Sequence, residues 1–518
     1  MQHIRQQEGP QFMQLKGKLS GSVSRAAAAI MMISTFGFAH SFVDAASAGE
    51  AEKKLVLIAK QDPGSFDYVS SILTSMLLWV PTNIVEPLVY FDEAGQAQPG
   101  VAESWSISDD RLTYEFKIRK VNFSDGTPVT VEDVIYSLNA MKMSPVSVYA
   151  GTYAAVSGIE KVDDSTVRVT LTRPSQSFWR GMGGVTGLIQ PEHGAQTRAT
   201  NPIGTGPYVL KSYTANSSIE LVANPDYWAG KPGIEAVTVR IISDTTTILN
   251  ALDAGEAYGM PAATSELLEQ VGMRGLQKKF NLAPYSQIGE PTYLVLNQKL
   301  DPELRKAMAK TVDRAAYKAA FGDSAGVETT CTFAMPNRLW YEPESAESCP
   351  YGFDFEAAMA GAQQFSDQKL EFAVLNSMSW FADLAIPSLQ GAGFDITRNT
   401  MDLARYSQTI FQGRPPQFDI TLMQGPDDPA QWSCDAADKA GWSTYCSQPY
   451  SEALVAADSA LDDAEYLAKM KQATKILRDD AVIVPLLDQQ GFALLDPALK
   501  GFTPPRVHVA VELSKLSW

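Results

Sequence analysis

The sequence predicts an α/β protein built from more than one module. Three observations carry that prediction. In the second half of the chain, apolar runs of strand length alternate with helix-length segments, the βαβα order from which α/β lobes are built. The chain has 518 residues, too many for one ordinary core at roughly 100–200 residues per domain. Hydrophobic residues make up 45% and charged residues 19%, which argues against both a disordered chain and a polytopic membrane protein.

Residues 1–48 read as an export signal rather than as part of a fold. Lys16, Lys18 and Arg25 form a basic start, no charge occurs from Ala26 to Val43, and Ala46-Ser47-Ala48 is a small-x-small cleavage pattern. Cleavage is expected near Ala48. Ser34, Thr35, Gly37, His40 and Ser41 interrupt the apolar stretch, which makes it marginal for a span of roughly 20 apolar residues. The first cysteine is Cys331, so no signal-proximal thiol is available for a lipid anchor. A soluble exported chain belongs in a periplasm or outside the cell.

The mature chain opens with the apolar strand Leu55–Ile58 and the loop Asp62-Pro-Gly-Ser-Phe66. Leu112, Tyr114, Phe116 and Ile118 alternate with polar residues, as in a half-buried strand. Thr130-Val-Glu-Asp133 resembles a capping box, and Val134, Ile135, Leu138 and Met141 follow at helical spacing. Val167, Val169 and Leu171 form another strand, Tyr208–Leu210 and Ile219–Val222 a pair, and Val237–Ile242 a further one. Thr245–Ala254 reads as a helix closed by Gly255. After the strand Thr292–Leu296, Asp301-Pro302 opens one long helix expected to run through Phe321. Asp354 starts a helix. Strand Glu371–Leu375, helix Phe381–Leu389, strand Phe394–Thr397 and strand Phe418–Leu422 then alternate. Helices near Pro449–Leu461 and Ala464–Asp479 precede two last strands, Val482–Leu487 and Phe492–Leu495.

Charge and motif content exclude several functions. Lys and Arg number 42 against 59 Asp and Glu, a net charge of −17 that phosphate backbones repel, so nucleic acid is not an expected partner. Only four histidines occur, and no H-E-x-x-H or C-x2-C pair, so no metal or cofactor is expected. Gly322-Asp-Ser-Ala-Gly326 matches the nucleophile-elbow pattern and makes an exported serine hydrolase using Ser324 the alternative reading. That elbow needs a strand before the serine and a helix after it. Here a helix precedes it and the β-branched run Val327-Glu-Thr-Thr330 follows, so an enzyme is not expected. In an oxidising compartment the four cysteines read as disulfides, and the pairs Cys331/Cys349 and Cys434/Cys446 close the shortest loops. Three pairings, and free buried thiols, remain open on spacing alone. The aromatic content suits a concave binding pocket.

Several stretches, in order, carry a resemblance. They are Val101-Ala-Glu-Ser-Trp105, Thr113-Tyr-Glu-Phe116, Phe123-Ser-Asp-Gly-Thr-Pro128 with Glu132-Asp133-Val134, Pro202-Ile-Gly-Thr-Gly-Pro-Tyr208, Asn224-Pro-Asp-Tyr-Trp228, and Asp301-Pro-Glu-Leu-Arg305 with Val312-Asp313-Arg314. Together they resemble the extracytoplasmic solute-binding proteins of ABC importers, family 5, the dipeptide-, oligopeptide- and nickel-binding cluster. The resemblance covers essentially the whole mature chain. It implies an α/β, two-lobed periplasmic binding protein fold with an extra domain inserted in the first lobe. Mapped here, the signal peptide is 1–48, lobe one 49–91 with 200–292, the insert 92–199, lobe two 293–490, and 491–518 a return to lobe one. It implies a monomer that captures a peptide-like solute and delivers it to a permease and its ATPase in the inner membrane. Ser433–Ala437 through Cys446-Ser-Gln-Pro449 is similar to the dipeptide-binding branch, which supports a Cys434–Cys446 bridge.

The expected ligand-binding residues are Ser65 and Phe66 from the first lobe, and Trp380, Gly425, Asp427, Asp428 and Trp432 from the second. Ser65–Phe66 and Gly425–Trp432 follow expected strands, where the crevice of an open α/β sheet lies. Peptide binders of the family hold the ligand's amino group with an Asp in the second of these loops, and Asp427 or Asp428 stands there in a segment one residue shorter. Dipeptide binders carry an Arg at the start of the helix where this chain has Ser379-Trp380. These departures leave an opine or a sugar conjugate as alternative ligands. A chaperone or sensor role on the same fold is a third reading.

Overall fold

A computed structural model describes residues 54–71, 74–92, 95–263, 265–321, 327–329, 331, 349–412, 417–424, 429–434, 445–502 and 510–518. They lie within one compact unit, Glu52–Trp518. Among them, one eleven-stranded sheet forms the backbone of the molecule. Across it the strands run Asp395–Met401, Lys369–Leu375, Ile420–Gln424, Asn281–Leu296, Ile483–Leu495, Gly259–Ala263, Lys54–Ala59, Ala236–Ile241, Ser218–Ala223 and Tyr208–Thr214, with Val327–Thr329 paired to Ile483–Leu495.

Apolar side chains divide this sheet into two bodies. One core takes residues from Leu55 to Val239 together with Ala493, Leu495, Val511, Leu513 and Leu516. Two others, on opposite faces of the second body, take residues from Tyr293 to Leu487. Only the two longest strands belong to both bodies. Asn281–Leu296 pairs with Ile483–Leu495 antiparallel, Asn281 facing Leu495 at one end and Val295 facing Ile483 at the other. The register shifts between Tyr285 and Glu290, between the two bodies. Thr292–Leu296 is therefore the far end of a longer strand, and Val482–Leu487 and Phe492–Leu495 are one strand rather than two. The polar run Asp488-Gln489-Gln490-Gly491 made them look separate. It falls between Leu487, which enters one core, and Phe492 and Ala493, which enter others.

A four-stranded antiparallel sheet, Ala102–Ile107, Thr113–Ile118, Thr166–Leu171 and Val156–Asp163, packs on the first body and shares its core. Tyr114, Phe116 and Ile118 point inward, as their alternation predicts. Helix Val131–Lys142 covers this sheet and starts at a complete capping box: the Thr130 side chain accepts from Asp133 N, and Asp133 accepts from Thr130 N. Helix Thr245–Asp253 ends as expected, with Gly255 at φ +72° in the left-handed region that its missing Cβ permits.

The long helix expected over Asp301–Phe321 is two helices, Pro302–Ala309 and Arg314–Phe321. The break follows from local chemistry. The Thr311 hydroxyl donates back to Met308 O at 2.7 Å, and the Asp313 carboxylate accepts from Ala316 N at 3.1 Å, which starts a new helix. Both cysteine pairs are bonded, Cys331 to Cys349 and Cys434 to Cys446. Among the described residues no helix is long and apolar enough to cross a membrane.

Candidate functional site

The loop after strand Lys54–Ala59 is held by its own side chains. The Asp62 carboxylate accepts from Gly64 N at 2.6 Å and from Tyr213 Oη and Asn216 N. Burial pushes this carboxyl up, but the three hydrogen bonds outweigh it and the group sits below its ordinary value. Ser65 Oγ accepts from Asp67 N at 3.1 Å. Phe66 is fully buried, packs edge-on against Tyr213 at 5.0 Å, and its N–H donates to Ala199 O.

Asp67 is the hinge of this local network. It accepts from Arg198 Nε at 2.5 Å, from Val69 N at 3.0 Å and from Ser70 Oγ. Burial raises its carboxyl, yet the Arg198 and Ser70 bonds with the guanidinium charge hold it below the usual value. Arg198 itself is nearly buried and lies over the Tyr68 ring at 5.8 Å. The helix Ser147–Tyr153 is fastened to the loop by Tyr149 Oη, which donates to Tyr68 O at 2.9 Å.

From the other body the short turn Pro429–Trp432 comes up against that same helix. Trp432 is buried, edge-on to Tyr293 at 6.1 Å, and Tyr450 Oη donates to Pro429 O at 2.7 Å. The helix Ser147–Tyr153 thus touches both the loop 62–71, on its own body, and the turn Pro429–Trp432 of the second. Ser65, Phe66 and Trp432 lie on those elements. Trp380 is 38% exposed at the start of helix Ser379–Ala392, edge-on to Phe381. That helix follows Lys369–Leu375, and Gln424 ends the parallel neighbour Ile420–Gln424, so both segments leave the same carboxyl edge of the sheet. Gly425, Asp427, Asp428 and Ser324 lie outside the described residues.

Sequence reading did not single out Asp67, Tyr149, Arg198 or Arg398. Arg398, on the neighbouring parallel strand, pairs with Asp383 and reaches toward Ser379 O at 3.5 Å. It brings a guanidinium to the helix start where this chain has Ser379-Trp380. No sequence signal marks such a residue, because the approach is between strands. Among the described residues no group of three His, Cys, Asp or Glu could hold a metal ion. His193 Nε2 lies 2.6 Å from Asp125 Oδ2 in a half-exposed surface pair.

Residues 96–366 match the family described as bacterial extracellular solute-binding proteins, family 5 Middle. An ABC transporter peptide-binding protein of Brucella ovis is 33% identical over 399 residues, 70% of this chain and 73% of that one. The chain belongs to family 5 of the bacterial extracellular solute-binding proteins. Another relative, heme-binding protein A of Haemophilus influenzae, is 26% identical over 469 residues, covering 78% of this chain and 81% of its own. Among solved structures, the periplasmic binding protein DppA of Helicobacter pylori in complex with the peptide STSA superposes with a TM-score of 0.74 at 22% identity. That match covers 90% of this chain and 98% of that one. The family 5 fold, two α/β lobes with an added domain in the first, accounts for the two bodies and the packed four-stranded sheet.

Proposed function

We propose that this family 5 protein is the solute-binding component of an ABC importer, which closes two lobes on a peptide-like solute and hands it to a membrane permease and its ATPase. The observation that carries this reading is the helix Ser147–Tyr153, which is bonded to loop 62–71 and set against the turn Pro429–Trp432. Elements of two separately cored bodies, joined by two strands, face each other there, and a solute between them would be enclosed. The lobes are 49–91 with 200–292 and 491–518, and 293–490, with 92–199 as the insert. The leader is removed near Ala48, and the protein works as a periplasmic monomer without catalytic activity. Ser65, Phe66, Trp380, Gly425, Asp427, Asp428 and Trp432 line the cleft, with an acidic anchor for an amino group at Asp427 or Asp428.

One observation favours a ligand other than a plain dipeptide. Ser379-Trp380 supplies no guanidinium at the helix start, and the neighbouring Arg398 is already paired with Asp383. A conjugate that needs no free carboxylate grip fits that arrangement. The test is a thermal-shift screen of dipeptides, oligopeptides, opines, heme and sugar conjugates, followed by small-angle scattering. A true ligand stabilises by about 2.7 kcal/mol at a hundredfold excess over its dissociation constant and shrinks the radius of gyration. Tight binding with an unchanged radius would sink the closure reading.

A further inference from the structure

The contact between the inserted domain and the second lobe is built around one carboxylate. Asp458 ends helix Gln448–Asp458, and its side chain is 14% exposed. All the partners that hold it come from one short stretch of the insert. Arg173 Nη1 donates to Oδ2 at 2.6 Å, Ser175 Oγ lies 3.0 Å from Oδ2 and 3.1 Å from Oδ1, and Ser177 N donates to Oδ1 at 2.7 Å. The neighbouring groups extend the seam. Arg173 Nη1 also reaches Ser459 Oγ at 3.2 Å, Gln176 Nε2 donates to Ala460 O at 3.0 Å, and Arg180 Nη2 donates to Asp463 Oδ1 at 2.8 Å. Ser175 is 3% and Gln176 1% exposed. Such burial of polar side chains is tolerated because each finds its partner across the seam.

We propose that Asp458, with Arg173, Ser175 and Ser177, is a latch that raises the closed fraction of the ligand-free protein and so sets the apparent affinity of the cleft. The proposal rests on the two-lobe closure reading above. Its logic is linkage. A solute that is enclosed binds only the closed form, so its apparent dissociation constant is the intrinsic one divided by the closed fraction. The seam touches no residue assigned to the ligand, so it tunes how often the closed form occurs and not what that form recognises. Charge-assisted bonds in a sheltered place can shift such an equilibrium by a factor of roughly ten or more. When the lobes part, Asp458, Arg173, Ser175 and Gln176 all reach water, so opening strands no buried charge and the latch is reversible.

The four cysteines are all in disulfides, so two introduced thiols can be labelled selectively. Asp164→Cys in the insert and Leu403→Cys in the second lobe are exposed positions away from the seam. Single-molecule energy transfer between dyes at these sites, on the full ligand-free protein, reads the interlobe distance. The expected result is a short-distance population in the parent that falls about tenfold relative to the long-distance one in Asp458→Ala. Arg173→Met should act in the same direction, and the double variant should go no further than the stronger single one. Arg173 is the more exposed partner, so its variant keeps the test valid if Asp458→Ala does not fold. Distance distributions unchanged in both single variants overturn the latch. If no variant, and not the parent, ever shows a longer distance, the lobes do not part and the closure reading falls with it.

Discussion

At the scale of single residues, the least legible features are the buried charges. Glu86 is fully buried, and its carboxylate accepts from Tyr90 and Tyr227 Oη and from Trp228 Nε1, each at 2.8 Å, and from Thr205 Oγ1 at 2.6 Å. Desolvation drives its pKa up, and those four bonds oppose the rise. Three of its four partners stand 119 to 142 positions away in the chain, so nothing local in the sequence marks the set. Glu86→Gln turns an amide donor toward groups that are themselves donors. It should destabilise by roughly 1–3 kcal/mol in urea unfolding, and a loss within error would show that the four-donor arrangement is not what the fold depends on. The Asp67–Arg198 pair is equally hidden. Asp67→Asn leaves a nearly buried guanidinium without its counter-charge and should cost about 3–5 kcal/mol. Because the folded state holds Asp67 below its usual value, the unfolded chain binds more protons in the acid range. The contribution of Asp67 is thus complete above the unfolded carboxyl value of about 4 and is lost as pH falls through the lower folded value. Urea midpoints of parent and Asp67→Asn should converge as the pH drops below about 4, whereas parallel loss would rule this origin out. The candidate site was legible only in part for the same reason. Ser65, Phe66 and Trp432 are candidates because they follow strands, while Tyr149 and Arg198 come to loop 62–71 from positions that no such rule marks.

At the scale of elements, patterns with a single physical cause were read well. The alternation in Thr113–Ile118 has one buried face, and the start of Val131–Lys142 has both halves of its capping box in four residues. Thr130→Ala removes that cap and should lower stability by about 1 kcal/mol, within roughly 0.5–2. The check is chemical denaturation, and Thr130→Ser should restore most of the loss. What was missed needed two causes weighed together. Leu304, Met308 and Tyr317 all face the apolar core, so one apolar pattern spans Asp301 to Phe321. The Thr311 back-bond and the Asp313 cap overrule it. The bridge Cys434–Cys446, 12 positions apart, closes a short loop beside Pro429–Trp432. Replacing both cysteines by serine should remove roughly 3 kcal/mol, in a chain-entropy estimate. If calorimetry finds no change, the bridge is not what holds Cys434 in place, and the Ser451 Oγ bond to Cys434 N at 3.0 Å becomes the better explanation.

At the scale of the whole molecule, the α/β class and the existence of more than one module followed from length and alternation. The continuity of the two crossing strands did not, because a segment lying between two cores carries no apolar signature. Those strands also return the end of the chain to its beginning. Asn83 Nδ2 donates to Val511 O at 2.7 Å, Leu513 N donates to Asn83 Oδ1 at 2.9 Å, and Val511 N donates to Leu78 O at 3.0 Å. Val511, Leu513 and Leu516 are buried with Leu55 and Leu57 in one core. A chain ending at Gly491 should therefore fail to bury the first lobe, and limited proteolysis should digest that lobe while sparing residues of the second. Time enters here as well as space. A growing chain holds nearly every residue of its first lobe long before it holds the segment that seals it. Until that segment is made the first lobe cannot complete its core, so the order of synthesis is itself a delay on that lobe's folding.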